Sequence, residues 1–158
     1  MQKSVTVNRP LEELYRFWRE FGNLPRIMGY LDSVQVNGQR AHWKAHALKD
    51  QTVEWDTELV EDIPNERITW RSVEGAPLTH SGSVHFKPGR EGWGNEVQLS
   101  LDIDVPNGKF GETAEKLLGI APTLIAYKTL YAFKSLMETG EIPTLTGQPA
   151  ARNGGRDE

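Results

Sequence analysis

Residues 95–105, NEVQLSLDIDV, alternate without a break: Val97, Leu99, Leu101, Ile103 and Val105 on one side, Glu96, Gln98, Ser100, Asp102 and Asp104 on the other. A period of two predicts a strand with one face buried and one wet. The same period recurs upstream. In RAHWKAHA it sets Ala41, Trp43, Ala45 and Ala47 against His42, Lys44 and His46. In TVEWDTELVED it sets Val53, Trp55, Thr57 and Leu59 against Glu54, Asp56 and Glu58, and in RITWRS it sets Ile68, Trp70 and Ser72 against Arg67, Thr69 and Arg71. SGSVHFK places Gly82, Val84 and Phe86 on one face. With SVTVN near the start and SVQVN at 33–37, about seven strands are predicted. Asn37-Gly38, Lys49-Asp50, DIPNE, GAP and the glycine-rich PGREGWGNE supply the turns. Links this short join antiparallel neighbours. In that order the strand with Lys44 lies beside Glu54, Asp56 and Glu58, which lie beside Arg67 and Arg71, so opposite charges meet across the wet face.

A sheet with one apolar face needs a cover. Helical spacing over Phe110 to Glu138 predicts it, with Leu117, Ala121, Leu124, Leu130, Phe133, Leu136 and Met137 toward the sheet. Straight, that helix would run roughly 43 Å. Gly119 and Pro122 predict a bend within it. A shorter helix starts at Pro10 with Leu11, Leu14, Tyr15, Trp18 and Phe21 on one stripe, and NLPRIMGYL adds a helical turn leading back to the sheet. One domain is expected over 1–139, followed by an extended or disordered tail over 140–158, rich in Pro, Gly and polar residues.

Composition narrows the chemistry. The 158 residues contain no cysteine, which removes disulfides, thiolate metal sites and cysteine nucleophiles. Eighteen Lys and Arg against 22 Asp and Glu speak against nucleic acid as a partner. No stretch has the length and apolarity of a signal peptide or a membrane span, so a cytoplasmic protein is expected, with room for transient membrane contact. No metal site and no cofactor are expected: His42 and His46 share a strand face about 13 Å apart, too far to chelate one ion.

NLPRIM, VEWDTELVEDIPNERITWRS, GSVHFKP and AFKSLMETGEIPT, in this order over about residues 3 to 145, resemble the polyketide cyclase/dehydrase and lipid-transfer superfamily. The resemblance implies the START-like helix-grip fold, shared with the birch-pollen allergen family and coenzyme-Q-binding START proteins. That fold is α+β, a curved antiparallel sheet with two short helices and a long C-terminal helix packed across its concave face. It further implies a cavity between sheet and helix for lipids, sterols, quinones or polyketides. Aromatase/cyclases of the superfamily use an arginine projecting inward from the strand that here reads ITWRSVEG. In this chain Arg67 and Arg71 have outward parity and the next inward position is Glu74.

Trp43, Trp55 and Trp70 on three successive strands, with small Thr57, Ser72 and Gly82 beside them and Phe86 nearby, form either the wall of a ligand cavity or an interlocked core. Met28, Tyr30, Tyr127 and Tyr131 are candidates to complete such walls, and Thr57 or Ser72 to accept an indole N–H. His80 and Glu74, flanking the GAP turn near Ser72, form the candidate acid/base pair. Three functions stay open. The first is binding or carrying an apolar small molecule such as a lipid, quinone or polyketide-like compound; the second is a cyclase or dehydratase using His80 and Glu74; the third is an interaction module with a filled core. The oligomeric state is not legible.

Overall fold

The computed structural model describes residues 2–90, 92–105 and 114–141. Strands β1 (Gln2–Val7), β2 (Leu31–Asn37), β3 (Arg40–His46), β4 (Thr52–Ile63), β5 (Arg67–Ser72), β6 (Thr79–Pro88) and β7 (Asn95–Asp104) form one antiparallel sheet in the order β1-β7-β6-β5-β4-β3-β2. All six neighbouring pairs except β1–β7 are consecutive in the chain, as the short turns require. Helix α1 (Leu11–Arg19) and a 3-10 turn (Phe21–Arg26) separate β1 from β2, while α2 (Ala114–Leu118) and α3 (Pro122–Thr139) follow β7. The fold is the α+β helix-grip architecture.

Register explains the outer face. Lys44 stands opposite Glu54, the Arg71 guanidinium reaches Glu58 at 2.9 Å and that of Arg67 reaches Glu61 at 2.8 Å. β4 runs on to Ile63 because a bulge at Val60 restores its parity, letting Glu61 pair with Thr69 on the wet side. The turn into β5 then places Asn65 at φ 62°, a left-handed conformation that asparagine tolerates.

The covering helix differs from the sequence expectation in phase. The chain breaks at Gly119, whose φ of 78° ends α2, and Pro122 begins α3 at its first position. This break resets the helical stripe. Ile125, Ala126, Thr129, Leu130 and Phe133 are buried, whereas Leu124, expected inside, is exposed. The expected helix start at 110–113 and the tail beyond 141 lie outside the described residues. Toward its C-terminal end α3 is tied to β1: the Asn8 N–H donates to Glu138 at 2.8 Å, and the Lys134 ammonium bridges Glu138 and the Thr6 carbonyl. Phe133 packs on Phe17 and Trp18 of α1. Gly140 closes the helix at φ 80°. Tyr15 and Arg19 of α1 both hold Asp62 at the end of β4.

Candidate functional site

Strand parity carries the three indoles inward, where Trp43, Trp55 and Trp70 are 0%, 2% and 1% exposed. Trp43 and Trp55 are direct cross-strand partners and stack at 5.8 Å between centroids, with Trp70 stacked on Trp43 at 6.1 Å. Phe21 of the 3-10 turn packs on both Trp43 and Trp70. The indole of Trp70 lies across β6 because residue 82 is glycine: a Cβ there would stand 2.6 Å from Trp70 Cζ2 and 2.9 Å from the Ser100 carbonyl oxygen. Trp43 Nε1–H donates to Thr57 Oγ1 at 2.7 Å, and Trp55 Nε1–H is buried without a partner among the described residues. Phe86 is buried farther along β6, edge-on to Tyr15. The indoles thus form a solid aromatic floor, and the small residues beside them accommodate the rings.

At the centre of this floor lies His80, fully buried, 4.7 Å from the Trp43 ring and 5.2 Å from that of Trp55. Its hydrogen bonds fix its tautomer. An indole can only donate, so Trp70 Nε1–H, 3.4 Å away, makes His80 Nδ1 the acceptor and puts the ring proton on Nε2. His80 Nε2–H then donates to Tyr30 Oη at 2.7 Å, leaving the Tyr30 hydroxyl proton directed at Met28 Sδ, 3.7 Å away. Burial lowers the His80 pKa to about 3 and raises that of Tyr30 well above the usual phenol range. Both groups are neutral near pH 7. The hydrogen bond between them fixes both side chains in place.

The expected His80–Glu74 pair is not formed. Glu74 sits exposed in the turn after β5, while β6 parity turns His80 into the core; Ser72 Oγ, between them, accepts the His80 backbone N–H at 3.2 Å. Tyr127 and Tyr131 also depart from expectation, being 57% and 50% exposed and stacked on each other on the outer side of α3, a consequence of the phase reset at Gly119–Pro122.

Met28 and Tyr30 do reach a cleft. It has a volume of about 240 Å³ and opens between α3, the segment following the 3-10 turn and the end of β3. Ile27, Met28, Ile120 and Ile125 give it apolar walls; Tyr30, His46, Lys128 and Thr129 give it polar points. Tyr30 and Thr129 are buried, whereas His46 and Lys128 stand at the exposed rim. Sequence reasoning treated His46 as a surface residue and passed over Ile120, Ile125, Lys128 and Thr129. Their i, i+3, i+4 spacing was visible, but its phase depended on the helix break.

Sheet, grip helix and cleft define the class of protein, a helix-grip domain with an apolar opening beside its long helix. The chain belongs to the family described as polyketide cyclase / dehydrase and lipid transport, whose model matches residues 7–134. A solved structure from Deinococcus radiodurans is 34% identical and superposes with a TM-score of 0.72, covering 89% of this chain and 97% of that one. The di-domain ARO/CYC StfQ from the steffimycin biosynthetic pathway shares the fold at 13% identity and a TM-score of 0.63, over 87% of this chain and 50% of that one. An uncharacterised 17.2 kDa protein of Streptomyces lincolnensis is 29% identical over 87 residues, which is 54% of this chain. The match spans 57% of that curated relative's length. Among the described residues no helix is long and apolar enough to cross a membrane.

Proposed function

We propose that this protein binds a hydrophobic small molecule non-covalently, in the cleft between α3 and the Ile27–Tyr30 segment. The observation that carries the reading is a cleft with apolar walls of Ile27, Met28, Ile120 and Ile125, whose lining residue Tyr30 is held in place by the buried His80. Apolar walls with few, fixed polar groups are how small ligands are held. The neutral His80–Tyr30 pair supports binding over acid/base catalysis, as does the exposed position of Glu74. A cyclase or dehydratase using His80 and Glu74 would need the two side chains together, and Glu74 is exposed in the turn while His80 is buried.

Neutral probes test the site. Titration of the full chain with benzyl alcohol and hexanol, followed by amide chemical shifts, should move residues 27–30 and 120–129. Gly29 lines the cleft and a Cβ added there meets no atom within 4 Å, so Gly29→Phe should obstruct ligand without disturbing the fold. Ile120→Trp obstructs it from the opposite wall. Shifts centred elsewhere, or binding unchanged in both variants, would overturn the assignment.

A further inference from the structure

The rim of the cleft carries charge of one sign. Lys128 has no hydrogen bond or ion pair among the described residues, and no carboxylate is part of the lining. This stands out on a chain of formal net charge −4, where Lys134, one helical turn and a half further along the same helix, is fully paired. His46, the other ionisable rim group, uses Nδ1 to hold Asp32 at 2.7 Å, which leaves Nε2 free. Asp32 itself is turned to that imidazole and does not line the cleft. The walls are the isoleucines and Met28, and the buried Thr129 also belongs to the lining. The arrangement is an apolar well with an ammonium at its rim that has no partner among the described residues.

Size sharpens the match. At about 240 Å³ the cleft is below the range of about 300–1,000 Å³ usual for drug-sized ligands. A single ring or a short acyl chain is of a size to lie within it, whereas a sterol, a quinone with its isoprenoid tail or a multi-ring polyketide would extend beyond it. The packed indole floor closes the route to a deeper site.

We propose that the ligand is a small apolar carboxylic acid, bound as its anion, with its body against Ile27, Met28, Ile120 and Ile125 and its carboxylate at the Lys128 ammonium. This rests on the cleft being the ligand site and adds the charge and size of what enters it. A carboxylate accepts a charge-assisted hydrogen bond from the ammonium, which its uncharged amide isostere accepts only as a weaker dipole.

The experiment compares benzoate with benzamide and hexanoate with hexanamide on the full chain at pH 7 and low salt, by amide chemical shifts and calorimetry. Each acid should bind about three- to tenfold tighter than its amide, a modest factor because Lys128 is exposed and its charge is screened. Lys128→Met should erase that preference while leaving the amide's affinity in place, and dodecanoate should gain little over hexanoate. Equal affinity for acid and amide, or a preference that survives Lys128→Met, would overturn the proposal while leaving the cleft as a neutral-ligand site. Binding of neither acids nor amides at millimolar concentration would overturn both readings, as would binding indifferent to Gly29→Phe and Ile120→Trp together.

Discussion

Two residues in the floor do work that their neighbours cannot share. Gly82 has no substitute under Trp70: the methyl of Gly82→Ala would meet both an indole carbon and a backbone oxygen. Overpacking of that kind costs about 1–3 kcal/mol, so urea unfolding should show a loss in that range with the slope of the transition unchanged. His80 contributes through pH. Its pKa of about 3 in the folded state lies below the 6.5 of the exposed group, so the unfolded chain takes up the proton first as pH falls. The neutral histidine's contribution is therefore complete above pH 6.5 and is lost toward pH 3, at about 1.4 kcal/mol for each pH unit. Stability curves at pH 7, 6 and 5 should accordingly fall more steeply for the wild type than for His80→Gln. Parallel curves would mean that the imidazole is not held neutral. His42 acts in the opposite sense: hydrogen bonds to Glu54 and Asp56 raise its pKa, so its contribution is present at low pH and is lost as pH rises through that value. Its exposure keeps the effect small. The inward parity of Trp43, Trp55, Trp70 and His80 was legible from the alternation alone. The partnership of His80 with Tyr30, fifty positions away in sequence, was not, because no local pattern links the start of β6 to the segment before β2.

Elements set where these residues end up, and the break between α2 and α3 is the decisive one. Sequence reasoning identified Gly119 and Pro122 as a bend but carried the apolar stripe through it with Leu124 inside. The turn at Gly119 changes the phase just beyond it, burying Ile125, Ala126 and Thr129 in place of Leu124, while Leu130 and Phe133 lie inside as expected. That change places Thr129 and Ile125 on the cleft and Tyr127 and Tyr131 in solvent. The strands suffered no such error because their charges check their register: Lys44 stands opposite Glu54, and Arg71 with Glu58 and Arg67 with Glu61 form ion pairs in the pairing observed. Gly119 is held twice, by its positive φ and by Leu48, whose Cδ2 would lie 2.8 Å from an added Cβ. Gly119→Ala should thus destabilise by about 1–2 kcal/mol. Gly119→Ala combined with Leu48→Ala should recover only the part due to contact, and thermal melts of the single and double variants measure the two parts.

Across the whole molecule, α3 is fastened unevenly. Its C-terminal half packs Phe133 on Phe17 and Trp18 of α1 and is anchored by the hydrogen bonds from the Asn8 N–H to Glu138 and from Lys134 to the Thr6 carbonyl. The N-terminal half buries Ile125, Ala126, Thr129 and Leu130, but it begins without a side-chain cap, carries exposed Leu124 and borders the cleft. With these anchoring bonds at its C-terminal end, the helix opens from the other. Ligand entry therefore belongs to the Ile120–Thr129 end, where an apolar molecule would supply the contacts that the unliganded helix lacks. Hydrogen exchange should show the amides of residues 124–128 exchanging well before those of 132–137, and saturating benzoate or hexanoate should slow the first group selectively. Glu138→Gln removes the charge that holds Asn8 and Lys134 together, so it should accelerate the C-terminal group and narrow the contrast. Uniform exchange along α3 would show instead that the helix moves as one body, and the grip would then have to open along its full length for anything to enter.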